Sequence, residues 1–158
     1  MSIAAELAAL YRRDLTRLVQ ELEAFPSGEA LWQNLPAVHN SAGNLALHLE
    51  GNLREFIGRQ LGGVPYTRQR ELEFSRRDLA TDEMIQRIEG VRDLVPNVIA
   101  TLSTAQLEAV YPEPVFGAPI STQQLLMSLH GHLNYHLGQI DYLRRISTKG
   151  EAIRFAGF

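Results

Sequence analysis

The segment HLNYHLGQIDYL, at residues 132–143, lies in the longest helical pattern of the chain and decides the fold. Apolar residues recur at three- and four-residue steps from Leu125 to Leu143, as they do along one face of an α-helix. The preceding Ser-Thr-Gln-Gln fits a capping box, in which a serine side chain closes the first helical turn. The sequence therefore predicts a helix from Ser121 to about Ile146.

This helix carries two histidines that a helical wheel groups with a glutamine. At 100° per residue, His132, His136 and Gln139 fall within about 60° of one another, at the predicted centre of the buried stripe. His130 falls on the opposite, polar face, where we expect it to be solvated. Histidines at i and i+4 project from one face about 6 Å apart at Cβ, a spacing that lets one metal ion bridge them. The pair indicates a metal site, although the same spacing also arises by chance.

Three further amphipathic segments predict helices. They cover Ser2–Phe25, the stretch from Asn40 or Ser41 to Leu61, and the stretch that begins at Thr81. Pro96 lies inside the last of these, where we expect a kink or an early end. The connectors are long, and YPEPVFGAPI at 111–120 predicts a loop with room for a short extended piece. We therefore predict an all-α fold, a four-helix bundle with long connecting loops, in a single domain over residues 1–158.

Composition narrows the classes of function. Fifteen Lys and Arg against eighteen Asp and Glu give a net charge of −3, so there is no broad positive field, and we expect neither nucleic acid nor membrane as a partner. The absence of cysteine excludes disulfides, thiolate nucleophiles and cysteine-based metal sites. No apolar run is long enough to span a bilayer, and the amphipathic N-terminus contains Glu6, unlike a signal peptide, so we expect a cytoplasmic protein.

A third metal ligand would have to come from another helix, and His48 is the first candidate. On a helical wheel His48 shares its sector with Asn44 and Asn52, while the leucines of the same helix lie 80° to 100° away from it. His48 thus lies either on a solvated face or at the edge of the core, where a polar strip opens into a pocket. His39, in the loop before this helix, is expected to contact solvent or to cap the helix.

Two stretches together are similar to a known family. HNSAGNLALHLEGNLREFIG at 39–58 and HLNYHLGQIDYLRR at 132–145 resemble the DinB/YfiT-like superfamily of four-helix-bundle metalloenzymes. The resemblance implies one divalent ion held by His48, His132 and His136, with zinc or nickel favoured and iron or manganese as alternatives. Members commonly have His-Arg-Gly-Gln at the last ligand, where this chain has His-Leu-Gly-Gln, so the resemblance does not carry over a particular substrate.

Several polar residues are candidates to support such a site. Gln139 and Asn52 share the faces of the ligands, and Asp14 interrupts the apolar stripe of the first helix. An aspartate that accepts the free N–H of a ligand histidine would fix its tautomer, while the alternative for Asp14 is a boundary salt bridge with an arginine. Glu55 is a candidate acid or base at the pocket mouth, with an exposed surface glutamate as the alternative.

The resemblance also implies a class of activity. Members with an assigned activity join a low-molecular-weight thiol to an electrophile, so we expect a metal-dependent thiol S-transferase that acts on a small molecule. The alternatives are a metal-dependent hydrolase and a non-catalytic, stress-related bundle that binds a metal or a small molecule. Members are often dimers, and glycines seven residues apart, Gly51 with Gly58 and Gly131 with Gly138, would permit close helix approach, so we expect a homodimer.

Overall fold

The computed structural model describes residues 2–115 and 117–154 of the chain. Four long helices form the bundle: α1 (Ile3–Glu23), α3 (Ala42–Leu53), α5 (Thr81–Ala100) and α7 (Thr122–Thr148). Three short helices lie in the connectors: α2 (Gly28–Trp32), α4 (Arg70–Ser75) and α6 (Thr104–Glu108). A π-helical segment, Arg54–Arg59, continues α3. The predicted all-α architecture is confirmed, while the three short helices and the π-helical segment are additions to it.

Serine side chains begin three of the long helices. Ser2 accepts a hydrogen bond from the Ala5 amide, and Ser121 accepts one from the Gln124 amide. Ser41 and Asn44 form a reciprocal capping box, in which each side chain bonds the backbone of the other. Each cap supplies a partner to an amide that the helix itself leaves without one.

The core lies where the four long helices meet. Helix α1 packs against α5 and α7, and α3 packs against α4, α5 and α7. Tyr11 is fully buried among the leucines, and its hydroxyl donates to the Leu126 carbonyl at 2.7 Å, so its polar end has a partner. None of the described helices is both long and apolar enough to cross a bilayer.

Of the two outcomes expected for α5 at Pro96, a kink or an early end, the early end does not occur. The helix continues to Ala100, and Pro96 is buried. Proline removes one backbone hydrogen bond. Helix α5 packs against α1, and Val95 and Ile99, on either side of the proline, are fully buried, so burial of the apolar face keeps the helix continuous.

The connector between α3 and α5 is not a solvated loop. Helix α4 lies within it and packs on α3, and the Asn44 side-chain amide donates to the carbonyls of Glu73 (2.9 Å) and Arg76 (3.1 Å). Every residue of α3 is consequently buried, including the polar His48 and Asn52. For His48 this burial favours the edge of the core over a solvated face. The helical wheel could not choose between the two, because it describes one helix and not what covers it.

The connector between α5 and α7 contains the short extended piece that the sequence predicts for residues 111–120. Val110 and Ser121 form an isolated antiparallel bridge, and the Tyr111 amide donates to the Ile120 carbonyl at 2.9 Å, which is the extended piece of the predicted loop. Phe116 of that loop lies outside the described residues.

The glycine pairs differ in what they allow. A Cβ on Gly58 would lie 2.9 Å from Leu94 Cδ2, so this glycine lets the extension of α3 approach α5 closely. A Cβ on Gly51 would collide with the Glu73 carboxylate. Gly131 and Gly138 face open space, with nothing of the described chain within 4 Å of the added atom. Only the α3 pair therefore serves packing inside the bundle.

Candidate metal centre

Three histidine side chains converge between α3 and α7. The Nε2 atom of His132 lies 3.2 Å from Nε2 of His48 and 3.1 Å from Nε2 of His136. One nitrogen from each ring lies within 4.8 Å of the corresponding nitrogens of the other two rings, so these three residues form a group that could hold a metal ion. Helix α7 presents two of them one turn apart, and α3 presents the third from across the interface.

The spacing of these nitrogens fits a shared ion. Zinc binds imidazole nitrogen at about 2.0–2.1 Å, so two nitrogens on one tetrahedral ion lie about 3.3 Å apart. The two observed separations, 3.1 and 3.2 Å, are close to this value. Octahedral geometry brings neighbouring ligands slightly closer together, to about 2.9 Å, so the spacing also suits other divalent ions.

Hydrogen bonds at the far ring nitrogens set the tautomers of two histidines. His48 Nδ1 lies 2.9 Å from Glu73 Oε2, and His136 Nδ1 lies 2.6 Å from Gln139 Oε1. An ionised carboxylate and an amide oxygen can only accept, so each Nδ1 carries the proton and each Nε2 presents a lone pair. His132 could donate to only one of these lone pairs at a time, whereas a cation satisfies all three.

Glu73 is itself held in place by charge. Arg68 donates two hydrogen bonds, of 2.7 and 2.9 Å, to the Glu73 carboxylate. Burial alone would raise the pKa of Glu73, but the hydrogen bonds from His48 and Arg68 outweigh it and hold the pKa below its usual value. The carboxylate therefore stays ionised, as an acceptor for His48 requires. Gly51 leaves the space that this carboxylate fills.

The two α7 histidines are kept neutral. Burial, reinforced by the neighbouring His136, His48 and Arg68, lowers the pKa of His132 to about 4. Burial also lowers the pKa of His136, against the opposing hydrogen bond to Gln139. At neutral pH both rings are thus in the form that binds metal. The other nitrogen of His132, Nδ1, is buried and has no hydrogen-bond partner among the described residues.

The predicted place of these histidines on α7 was partly wrong. The fully buried stripe of the helix centres on Leu129, Leu133 and Ile140, and His132 and His136 lie at its edge, half-buried. Edge placement is what lets the rings face both α3 and the solvent side of the bundle. A site open to a substrate needs that border.

Asp14 does not support the three histidines, and His130 is not solvated. Asp14 is fully buried, and its carboxylate accepts from Arg13, Arg17, His130 and Asn134. His130 Nε2 lies 2.8 Å from Asp14 Oδ2, between α1 and α7. Helix α1 covers the face of α7 that a wheel reads as polar, so this cluster is a buried ionic link between two helices. The arginine salt bridge weighed for Asp14 is present.

The remaining predicted residues fall in different places. Gln139 holds His136, as described above. Asn52 is buried beside the site with Oδ1 unpartnered among the described residues, and it contacts none of the three histidines by hydrogen bond. Glu55 pairs with Arg59 and is only partly exposed, so it is neither a free acid at the pocket nor a fully solvated glutamate. His39 is exposed and lies outside the three-histidine group.

An open cleft of about 560 Å³ meets the site at His48 and His132. Its other walls include Asn52, Phe56, Arg68, Arg70, Ser128 and Leu129. The π-helical segment supplies Phe56, whose carbonyl accepts from the Tyr111 hydroxyl at 2.8 Å, and π-helical turns recur at functional sites. A second, mostly apolar groove meets His136 and Gln139 and includes Tyr135 and Tyr142.

Sequence analysis missed Glu73 and Arg68. Both lie in the long connector between α3 and α5, and nothing local separates Glu73 from the exposed Glu71 two residues earlier. The available signal was the glycine at position 51, one helical turn from His48, which leaves space for a group from elsewhere in the chain. Only docking of α4 identifies that group as Glu73.

Comparisons with known proteins agree with this architecture. A family model described as the DinB superfamily matches residues 10–140. The crystal structure of a DinB-like protein from Bacillus cereus ATCC 10987 superposes with a TM-score of 0.69 at 17% sequence identity, over 92% of this chain and 91% of that chain. At this identity the structural match concerns the fold. A search among curated proteins finds no match to this chain.

Proposed function

This chain belongs to the DinB superfamily, and on that premise we propose that it is a metal-dependent enzyme that joins a low-molecular-weight thiol to an electrophilic small molecule. The observation that carries the proposal is the convergence of three Nε2 atoms beside an open cleft, with two of them fixed as lone-pair donors. His48, His132 and His136 would hold one divalent ion, with zinc or nickel favoured and iron or manganese as alternatives.

A divalent ion held by the three neutral histidines would supply positive charge that favours the thiolate form of a small thiol near neutral pH. The chain has no cysteine, so the sulfur has to come from a cosubstrate. The thiol proton goes to solvent, and the sulfur forms one S–C bond with the electrophile. The displaced electron pair leaves with the leaving group or, in an addition, is protonated on the neighbouring carbon.

The residues of the chain prepare the site for this chemistry. Glu73 and Gln139 keep the rings of His48 and His136 oriented, so little reorganisation is needed on binding. Phe56 and Leu129 give the cleft apolar walls that exclude water from a bound sulfur.

The cleft favours a thiol over water as the nucleophile. Metal-dependent hydrolases commonly use a carboxylate as general base, and no described residue lining the cleft has a free one. Glu73, the nearest carboxylate to His48, is engaged by Arg68 and by the ring itself. A hydrolase at this cleft would therefore depend on the ion alone to deprotonate water.

The test uses cobalt-substituted protein and a panel of small thiols. A thiol that reaches the ion adds a sulfur-to-cobalt charge-transfer band, and at one hundred times its dissociation constant it raises stability by about 2.7 kcal/mol by mass action. The metal-free protein is the control and should show neither effect. Unchanged spectra and melting temperatures with every thiol would contradict the transferase proposal, and conversion of an electrophile panel with thiol present would extend it.

We also propose that the protein is a homodimer, formed through the exposed face of α7. Tyr135 and Tyr142 are 64% and 63% exposed, and the open Gly131 and Gly138 lie on the same side of the helix. A second copy that packs here would cover both rings against small residues. Light scattering should give twice the chain mass, and Tyr142→Glu should lower it to that of a monomer. A monomer mass for the unaltered protein at micromolar concentration would contradict the proposal.

A further inference from the structure

The cleft beside the three histidines carries an unbalanced positive charge. Two arginines line it, Arg68 and Arg70, and the described lining contains no acidic side chain. Arg68 is neutralised by its two bonds to Glu73, which lies behind His48. Arg70 is exposed, and no carboxylate of residues 2–115 or 117–154 lies within ion-pair distance of it.

A chain of ring contacts ties Arg70 to the site. Its guanidinium carbon lies 5.5 Å from the centre of the Phe74 ring, and that ring lies 5.0 Å from the ring of His48. A guanidinium stacked on an aromatic face keeps its N–H edge available for a planar anion. Arg70 is therefore positioned over the approach to His48 without being engaged in a salt bridge.

Two uncharged groups lie in the same cleft. Asn52 is 8% exposed, and its buried side-chain oxygen, Oδ1, has no hydrogen-bond partner among the described residues. Ser128, from α7, provides a hydroxyl whose donor is used by the Gln124 carbonyl, which leaves its lone pairs available. A buried amide oxygen without a donor costs free energy unless a ligand supplies one.

From this placement we infer that the cleft selects small molecules with an anionic group, with Arg70 as the residue that recognises it. The anion is a carboxylate or another oxyanion of similar size, attached to the molecule whose other end reaches the ion. Arg70 contacts the oxyanion, Asn52 Oδ1 accepts a hydrogen bond from an N–H or O–H of the molecule, and Phe56 and Leu129 contact its apolar part. This inference rests on the proposed function, since it requires an open metal position beside the cleft.

The experiment compares matched metal-binding probes on the zinc-loaded protein. Each probe has a hydroxamate at one end and, on a chain of two to four carbons, either a carboxylate or a carboxamide at the other. Dissociation constants are measured by calorimetry for the unaltered protein, for Arg70→Gln, and for Arg12→Gln. Arg12 is an exposed arginine of α1 outside the cleft, so its replacement changes the net charge equally.

We expect the best carboxylate probe to bind about fivefold more tightly than its carboxamide twin, as for a partly exposed charge pair. Arg70→Gln should remove that preference, Arg12→Gln should keep it, and added salt should reduce it. Equal binding of the twins, or a preference that survives Arg70→Gln, overturns the inference while leaving the open metal site intact. Failure of every hydroxamate to bind would instead refute the open site, and with it the proposed function.

Discussion

Replacing Glu73 by glutamine tests the residue that sequence analysis did not find. The substitution keeps the shape of the side chain but removes the charge that accepts from His48 Nδ1 at 2.9 Å. A hydrogen bond to a charged group contributes about 1.5–3 kcal/mol and a neutral one about 1 kcal/mol, so the loss is about 0.5–2 kcal/mol. We therefore expect Glu73→Gln to weaken zinc binding by about 2- to 30-fold, the upper part of which overlaps the range of about 10- to 100-fold known for partners of metal-bound histidines.

The assay is competition for zinc against a chromophoric chelator at pH 7, with folding checked by circular dichroism. Glu71→Gln is the matched control, because Glu71 lies on the same short helix with the same charge but is exposed. Gly51→Ala provides a second route to the same effect, since its Cβ would lie 2.8 Å from Glu73 Cδ and displace an unaltered carboxylate. Zinc affinity of Glu73→Gln within twofold of the Glu71→Gln control would refute the reasoning.

Three other substitutions test separate parts of the structure. His132→Ala removes a shared nitrogen, so elemental analysis should find little metal left, and a full equivalent per chain would rule out the three-histidine site. Asp14→Asn should lower the free energy of unfolding by about 3 kcal/mol at pH 7, because it breaks a buried ionic cluster. Burial alone would raise the pKa of Asp14, but the hydrogen bonds from His130, Arg13 and Asn134 outweigh burial and lower it. The stabilisation that ionised Asp14 contributes is therefore present above the unfolded pKa of 3.8 and is lost as the pH falls below that value. Urea titrations should thus show the difference shrinking by about 1 kcal/mol at pH 3, and a difference that grows would be contrary. Gly43→Ala should displace the single tryptophan, because the added Cβ would lie 2.8 Å from Trp32 Cδ2, and an unshifted emission maximum would contradict that overlap.

Local pattern was sufficient for the long helices and for two of the three ligand candidates. Helices α1, α3 and α7 begin within a residue or two of their predicted starts, because a serine cap and a periodic apolar face are properties of adjacent residues. His132 and His136 are a pair by virtue of helical geometry alone. His48 could not be assigned in this way, since its wheel sector is polar, and the family resemblance was needed to choose between its two readings.

The errors share one physical cause. His130 was expected in solvent, a place beside the metal was one of two alternatives for Asp14, and an early helix end was one of two alternatives at Pro96. Each outcome depends on what another helix places against the residue. Periodicity reports which face of a helix is apolar. It does not report whether a polar face will be covered by an ionic partner from a distant part of the chain.

The sequence by itself determined the helical class, the long helices and the histidine pair, because each depends on residues within a few turns of one another. The tertiary structure decided the rest of the site. It brought His48 from α3 to the pair on α7, 84 positions away, folded a polar connector into α4 so that Glu73 reaches His48, and left Arg70 exposed at the cleft. These contacts join segments whose spacing follows from the packing of the whole bundle, since burial of the apolar faces of four helices fixes where every polar side chain between them must lie.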